Sequence, residues 1–327
     1  MTSQDGPPDG DGLDLLIIGD CNPDVLVLGQ DVVPEFGQQE KLVGQISLVV
    51  GGSAAITAVA AARLGLRVAL AATIGDDPAG QFMLDQLAAE RVMTSAVVTR
   101  PGLATGMTVA LSNGSDRAII TATGAMTSLT ATDVPSDLLR QARHVHVSSY
   151  FLLEQSLGPG LAGLLRTARG SGAMTSVDTN WDPAGRWGGD QLRAVLAHAD
   201  LLLPNEEEAR HLSGEPTVEA AVPALTAAGS RLVVKLGARG ALVADAYGSH
   251  LVRPPAGLAA SFVDATGAGD CFNAGLIAGL LRGLDLPAAA RLGCATGSAS
   301  TRAAGGTTAA PDLATALALA GLAGSGR

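Results

Sequence analysis

Asp264-Ala265-Thr266-Gly267-Ala268-Gly269-Asp270 runs directly into the apolar, helix-patterned stretch Cys271-Phe272-Asn273-Ala274-Gly275-Leu276-Ile277. These residue types at this spacing suit phosphoryl transfer. Glycines let the backbone approach a phosphate and aim N–H groups at it, and a helix N-terminus adds partial positive charge. Asp270 could then take a proton from an attacking alcohol, with a metal and the helix end offsetting the repulsion between carboxylate and phosphate. A plainer account of the same residues stands beside this one. An acid in the first turn of a helix offsets the macrodipole, and Gly-rich loops precede many helices for steric reasons alone.

Four further constellations bear polar groups where strands end. Gly51-Gly52-Ser53 opens the helical stretch Ala54 to Leu64, so Ser53 can cap it while the paired glycines let a ligand touch the main chain. Gly19-Asp20-Cys21-Asn22-Pro23-Asp24 follows an apolar strand, and Asp20, Asn22 and Asp24 could receive sugar hydroxyls or simply make a turn. Asn205-Glu206-Glu207-Glu208 can form a capping box, or Asn205 and Glu208 can serve as outer partners of a nucleotide's Mg2+. Lys235-Leu236-Gly237-Ala238-Arg239-Gly240 ends a strand in a tight turn, where backbone and lysine could meet nucleotide phosphates or ribose.

Other chemistries find no matching pattern. Gly158-Pro159-Gly160-Leu161-Ala162-Gly163 has the GxGxxG spacing, but it begins well after the strand His144 to Ser149 instead of on its end, which argues against a dinucleotide site. No GxxxxGK[ST] loop occurs, and the five histidines form no zinc-type cluster with the three cysteines. A net charge of -10 argues against a general nucleic-acid binder. The apolar runs are too short for a membrane span, and unpaired cysteines point to a reducing, cytoplasmic setting.

The elements that must position these residues alternate along the chain. Leu13 to Gly19, Val68 to Ile74, His144 to Ser149, Ala173 to Asp178, Leu201 to Pro204 and Leu232 to Leu236 read as strands buried on both faces. Helical stretches lie between most of them, at Ala54 to Leu64, Ala79 to Arg91, Leu161 to Arg169, Gln191 to His198 and Val218 to Ala228. This is the βαβ rhythm of a parallel sheet covered by helices on both sides. Val25 to Val50 and Val97 to Ala122 break the rhythm with alternating patterns, including the hairpin Met107 to Leu111, Asn113-Gly114, Arg117 to Thr121. They predict an antiparallel flap over the carboxyl ends of the strands, or an ordinary edge hairpin. Residues 1–11 read as a disordered leader and 323–327 as a flexible tail, leaving one domain over 12–322.

Taken in order, GDCNPD, GGSAAITAVAAARLG, IGDDPAG, NEEE, KLGARG and DATGAGDCFNAG resemble the ribokinase-like (PfkB-type) carbohydrate kinase family over nearly the whole chain. The resemblance implies a three-layer α/β/α sandwich with a central mostly parallel sheet and a small β lid formed by about 25–50 and 97–122. It also implies ATP-dependent phosphorylation of a hydroxymethyl group. Asp270 would be the base, and Gly267, Ala268 and Gly269 the anion hole. Asn22, Asp24, Gly51, Gly52 and Ser53 would face the sugar. Asn205, Lys235, Gly237 and Gly240 would line the ATP site, with Asn205 and Glu208 organising Mg2+ through water. Asp264 and Thr266 would belong to a loop that holds a monovalent cation such as K+. A homodimer through the lid strands is a further implication.

One position departs from the family pattern. Ile56 stands where relatives commonly carry a sugar-binding Asn, which puts ribose in its usual pose in doubt. Arg117 could reach an acidic group, so the acceptor class spans ribose, fructose and 2-keto-3-deoxygluconate. A nucleoside kinase, with Tyr150 and Phe151 stacking on the base, and a catalytically silent ligand-binding relative are the alternatives.

Overall fold

Leu15-Leu16-Ile17-Ile18 is apolar at every position, and such a strand needs cover on both faces of its sheet. In the computed structural model, which describes residues 12–113, 116–227, 229–245, 248–257 and 262–323, it has that cover. Strand β1 (Leu15–Ile18) is fully buried in the interior of a nine-stranded sheet. It pairs in parallel with β4 (Val68–Gly75) on one side and β8 (His144–Val147) on the other. Beyond β4 lies β5 (Met93–Arg100); beyond β8 lie β9 (Met174–Val177), β10 (Leu201–Leu202) and β11 (Arg231–Lys235), all parallel. The antiparallel strands β12 (Ala241–Asp245) and β13 (Gly248–Val252) finish that edge. Strand addition reverses between β1 and β8, so a crevice opens at their carboxyl ends.

Helices cover both faces. Leu15 and Ile17 face α1 (Ser53–Arg63), α2 (Pro78–Ala89), α9 (Ala268–Leu281), α10 (Leu286–Ser300) and α11 (Leu313–Leu319). Leu16 and Ile18 face α3 (Ser136–Gln141), α4 (Tyr150–Leu153), α5 (Gly158–Gly170) and α6 (Asp190–Leu196). The same side continues with α7 (Glu206–Ser213) and α8 (Val218–Thr226) packed on Leu232 and Leu242. The period-2 alternation of a strand thus sends neighbouring residues into two separate cores. The result is the expected three-layer sandwich. Among the described residues no helix is long and apolar enough to cross a membrane.

Four strands form a second sheet in the order β3-β2-β6-β7: β2 (Asn22–Gly29), β3 (Gln45–Gly51), β6 (Met107–Asn113) and β7 (Asp116–Ala122). The flap is not wholly antiparallel as expected. Its two hairpin pairs are, but β2 and β6 join in parallel, because both leave the body in the same direction. Residues 97–100 also belong elsewhere, in β5 of the large sheet, so the second lid segment begins at Met107. Residues 1–11 and 324–327 of the expected leader and tail, and Gly114 of the expected turn, lie outside the described residues.

The placement of α9 follows from small residues. A Cβ on Gly275 would stand 2.5 Å from the Thr296 hydroxyl, and one on Gly297 2.7 Å from the Ala268 carbonyl, so only glycine permits this approach of α9 to α10. The first turn of α9 is thereby pressed into a fixed position at the carboxyl end of the sheet.

Candidate active site

The turn before α9 is held by its own first residue. The Asp264 carboxylate accepts the Thr266 N–H at 3.0 Å, the Thr266 hydroxyl at 2.9 Å and the Gly305 N–H at 3.0 Å. Gly267 is the N-cap at φ 69°, in the left-handed region, where a Cβ would meet Gly306 Cα at 2.5 Å. The Gly269 N–H opens the helix without an intrahelical partner, as first-turn amides do, while the Ala268 N–H donates back to the Ala265 carbonyl at 3.2 Å. Asp270 is the third residue of α9 and only 8% exposed.

Burial, then the nearby Asp178, pushes the Asp270 carboxyl up to about 7, while Lys235 and a hydrogen bond from Ser53 pull the other way. It is therefore poised to exchange a proton near neutral pH. Lys235, at the end of β11, is ion-paired with Asp178 at the end of β9, and Asn273 donates to the same Asp178 oxygen at 2.6 Å. Desolvation lowers the Lys235 ammonium, but Asp178, Glu208 and Asp270 more than offset it, so the group stays charged. A Cβ built on Gly269 would stand 3.6 Å from this ammonium. The Lys235 cation, the Gly269 amide and the Asp270 carboxyl thus lie together at the start of α9.

Beside that point opens a cleft of about 400 Å³, whose lining includes Lys235, Gly237, Gly240, Gly269, Pro255 and Phe262. A lining that joins a cation and glycine backbone to apolar side chains suits a ligand with both phosphates and a nucleobase. Gly240 has φ 98°, and any side chain there would collide with the Val252 carbonyl. Asn205 and Glu208 meet each other in a full capping box: the Asn205 side chain accepts the Glu208 N–H at 2.9 Å, and Glu208 accepts the Asn205 N–H at 2.8 Å and its amide at 2.7 Å. Burial, then Asp178, raises the Glu208 carboxyl. Among the described residues no group of three or more His, Cys, Asp or Glu could hold a metal ion directly. The donor set suits a Mg2+ carried in on a triphosphate and touched through water, and does not suit a resident metal cage.

The lid strands carry most of the residues expected to face a sugar. Asn22 donates to Asp24 Oδ1 and to Thr108 Oγ1, each at 3.2 Å, and Thr108 meets Thr121 at 3.1 Å. Gly51 is required because a Cβ would overlap the Asp24 carboxylate, and Gly52 because its φ is 77° with the Asn22 amide oxygen 2.9 Å from a built Cβ. Ile56 is buried under the Gly267 turn, against Gly267 and Gly306, and its apolar side chain has no hydrogen-bonding group for a sugar. The side chain of Arg117, on β7, falls outside the described residues.

Three expectations need correction. Ser53 does not cap α1: the Asp20 carboxylate does so from the end of β1, accepting the Ser53 N–H at 3.1 Å and the Ala54 N–H at 2.9 Å. Asp20 is consequently engaged by the helix and is not free to receive a sugar. Tyr150 and Phe151 open α4 and point into the core, so neither ring can stack on a base. Sequence spacing also missed Asp178, Asn180, Asn273 and Thr108. Asp178 does stand at the end of an apolar strand, the one signal for it that the sequence carries.

The pattern described as pfkB family carbohydrate kinase matches residues 13–313. The ribokinase of Haemophilus influenzae is 30% identical over 308 residues, covering 91% of this chain and 95% of that protein. Adenosine kinase from Sinorhizobium meliloti shares the fold, with a TM-score of 0.83 at 22% identity over 94% of this chain and 99% of that one. An E. coli protein in complex with ATP and Mg2+ has a TM-score of 0.81 at 24% identity, over 94% of this chain and 98% of that one. With the family pattern spanning nearly the whole fold and its site turn, the chain belongs to the pfkB family of carbohydrate kinases, phosphotransferases that act on sugar hydroxyl groups.

Proposed function

We propose that the protein transfers the γ-phosphoryl group of ATP to a hydroxymethyl group of a small neutral sugar. One observation carries this: a buried carboxylate with a pKa of about 7 stands on the first turn of α9, beside a glycine turn, a lysine and a nucleotide-sized cleft. Asp270 takes the hydroxyl proton as the oxygen attacks. The N–H groups of Gly267, Ala268 and Gly269 receive the charge on the transferred group, and Lys235 offsets charge on the same side. Gly237 and Gly240 let the nucleotide lie against the main chain. Mg2+ on the triphosphate neutralises its oxygens; Asn205 and Glu208, whose bonds to each other leave only outer contact, would hold its waters. A K+ ion at Asp264 and Thr266 would further order a turn that these residues already brace.

The lid bears on the charge of the acceptor. Among the described residues the sugar wall offers Asn22, Asp24, Thr108 and Thr121, an acceptor-rich set that includes a carboxylate. Polyols satisfy such a set, whereas a sugar acid would meet like charge. This favours ribose or fructose types over 2-keto-3-deoxygluconate. A homodimer through the lid is part of the same proposal, supported by exposed Ile46 and Leu48 on β3 and Ile119 and Ile120 on β7, the two edge strands. Three buried free cysteines support a reducing, cytoplasmic setting.

ATP consumption measured over ribose, fructose, 2-keto-3-deoxygluconate and adenosine tests the assignment. Turnover with a neutral sugar at least about tenfold above the sugar acid is expected, since one unfavourable charge contact costs that much. Preference for the acid would overturn the acceptor class, preference for adenosine would give the nucleoside alternative, and no turnover at all would leave a silent relative.

A further inference from the structure

Asn180 follows β9 in the left-handed region at φ 55°, and Ser149, at the end of β8, is left-handed at φ 58°. Asparagine tolerates this region, but serine rarely enters it, so Ser149 holds a conformation that its side chain disfavours. The two are tied together: the Ser149 N–H donates to Asn180 Oδ1 at 2.8 Å, and Asn180 Nδ2 donates to the Ser53 hydroxyl at 2.8 Å. The Asn180 N–H in turn meets Asp178 Oδ1 at 3.3 Å. A strained residue such as Ser149 persists where its surroundings over-determine it, and such residues gather at functional sites.

A serine hydroxyl has one hydrogen and two lone pairs. With Asn180 donating into the oxygen, the hydrogen of Ser53 is left to give. Thr57, one turn further along the same face of α1, donates to the Asp270 carbonyl at 3.4 Å, so the start of α1 lies beside Asp270, and the Ser53 hydroxyl favours the ionised form of that carboxyl. Ser53 is fixed in turn, because its own N–H is held by the Asp20 carboxylate.

We propose that Asn180 and Ser53 are a positioning pair for Asp270: the amide sets the direction of the hydroxyl, and the hydroxyl holds the carboxylate on the face where the acceptor alcohol approaches. Ser53 thereby moves from the expected sugar-binding set to the support of the base. The inference rests on Asp270 being the base of the proposed kinase.

The chemistry behind it is directional. A bond donated to the ionised form favours that form, so the Ser53 hydrogen keeps Asp270 a carboxylate to lower pH than burial alone would allow. Removing the hydroxyl has two consequences: the acid limb of the rate profile moves up, and the freed carboxylate samples rotamers that miss the alcohol. ATP contacts other residues and should not register the change.

The test uses Ser53→Ala, Ser53→Thr, Asn180→Gly and the Ser53→Ala/Asn180→Gly double variant. Glycine is chosen at 180 because it accepts a positive φ. For Ser53→Ala the expected results are a kcat lower by about tenfold or more, an acid limb higher by about one pH unit, and an ATP KM within about threefold of wild type. Ser53→Thr, which keeps the hydroxyl, should restore most of the rate. The double variant should be no slower than Ser53→Ala alone, since Asn180 acts through Ser53. An unmoved acid limb in Ser53→Ala, no recovery with threonine, or fully additive losses would each overturn the proposal. The Asp270 titration is also followed without substrate, as the difference in pH-dependent thermal stability between each protein and its Asp270→Asn counterpart. A wild type that phosphorylates nothing would sink the kinase assignment, whereas an Asp270 titration unchanged by Ser53→Ala would sink this pairing alone.

Discussion

Asp270→Asn should make the protein more stable and much less active at once. In the fold, burial and then Asp178 raise this carboxyl from 3.8 to about 7. The native chain therefore binds the proton more tightly than the unfolded chain. The stability linked to that proton is fully present below pH 3.8 and is lost as pH rises through 7. A change from 3.8 to about 7 corresponds to about 4 kcal/mol, the order of the destabilisation that ionised Asp270 imposes at pH 8. Asparagine has nearly the same shape and does not ionise, so its advantage should grow steadily between pH 4 and pH 8. For a protein of this size, the gain in Tm at pH 8 over that at pH 4 should be about 5 °C or more. Calorimetry at both pH values reads this directly. Turnover, measured beside it, should fall by about 10²–10⁴ while ATP binding is retained. A stability difference that does not vary with pH would refute the raised, buried acid, and turnover close to wild type would remove Asp270 as the base.

Two other perturbations probe the surroundings of the same group. The wild-type kcat/KM profile should rise with pH to a midpoint of about 7, and Asp178→Asn should lower that midpoint by about one pH unit, because it removes a like charge and leaves the Lys235 ammonium facing Asp270; an unmoved midpoint would contradict the coupling. Gly267→Ala forces a side chain into φ 69° with Gly306 Cα 2.5 Å away, and denaturant unfolding should show a loss of about 1–3 kcal/mol. Wild-type stability in that variant would mean the turn is not sterically fixed.

The parts of the fold legible in the amino-acid sequence are those with a local period. Six buried strands stand out as unbroken apolar runs, and all six lie in the large sheet. The lid strands show alternation, yet their partners are not legible, since β2 and β6 pair across about eighty residues and nothing in either strand names the other. The same holds in the site. Asn205 and Glu208 lie three residues apart, so their capping box can be read from spacing. Asp20 caps a helix 33 residues later, a role that spacing assigns to Ser53.

From sequence alone came the parallel sandwich, the glycine turn and the acid on its helix, because turns and helix starts are set by residues within a few positions of one another. Only the tertiary structure decided that Asp270 is buried with a raised pKa and that Asp178 holds Lys235 and Asn273 from another strand. The same packing placed Asn180 where it directs the hydroxyl of Ser53. The physical reason is that a buried polar group must find partners wherever packing brings them, and that choice belongs to the assembled core, not to neighbours along the chain.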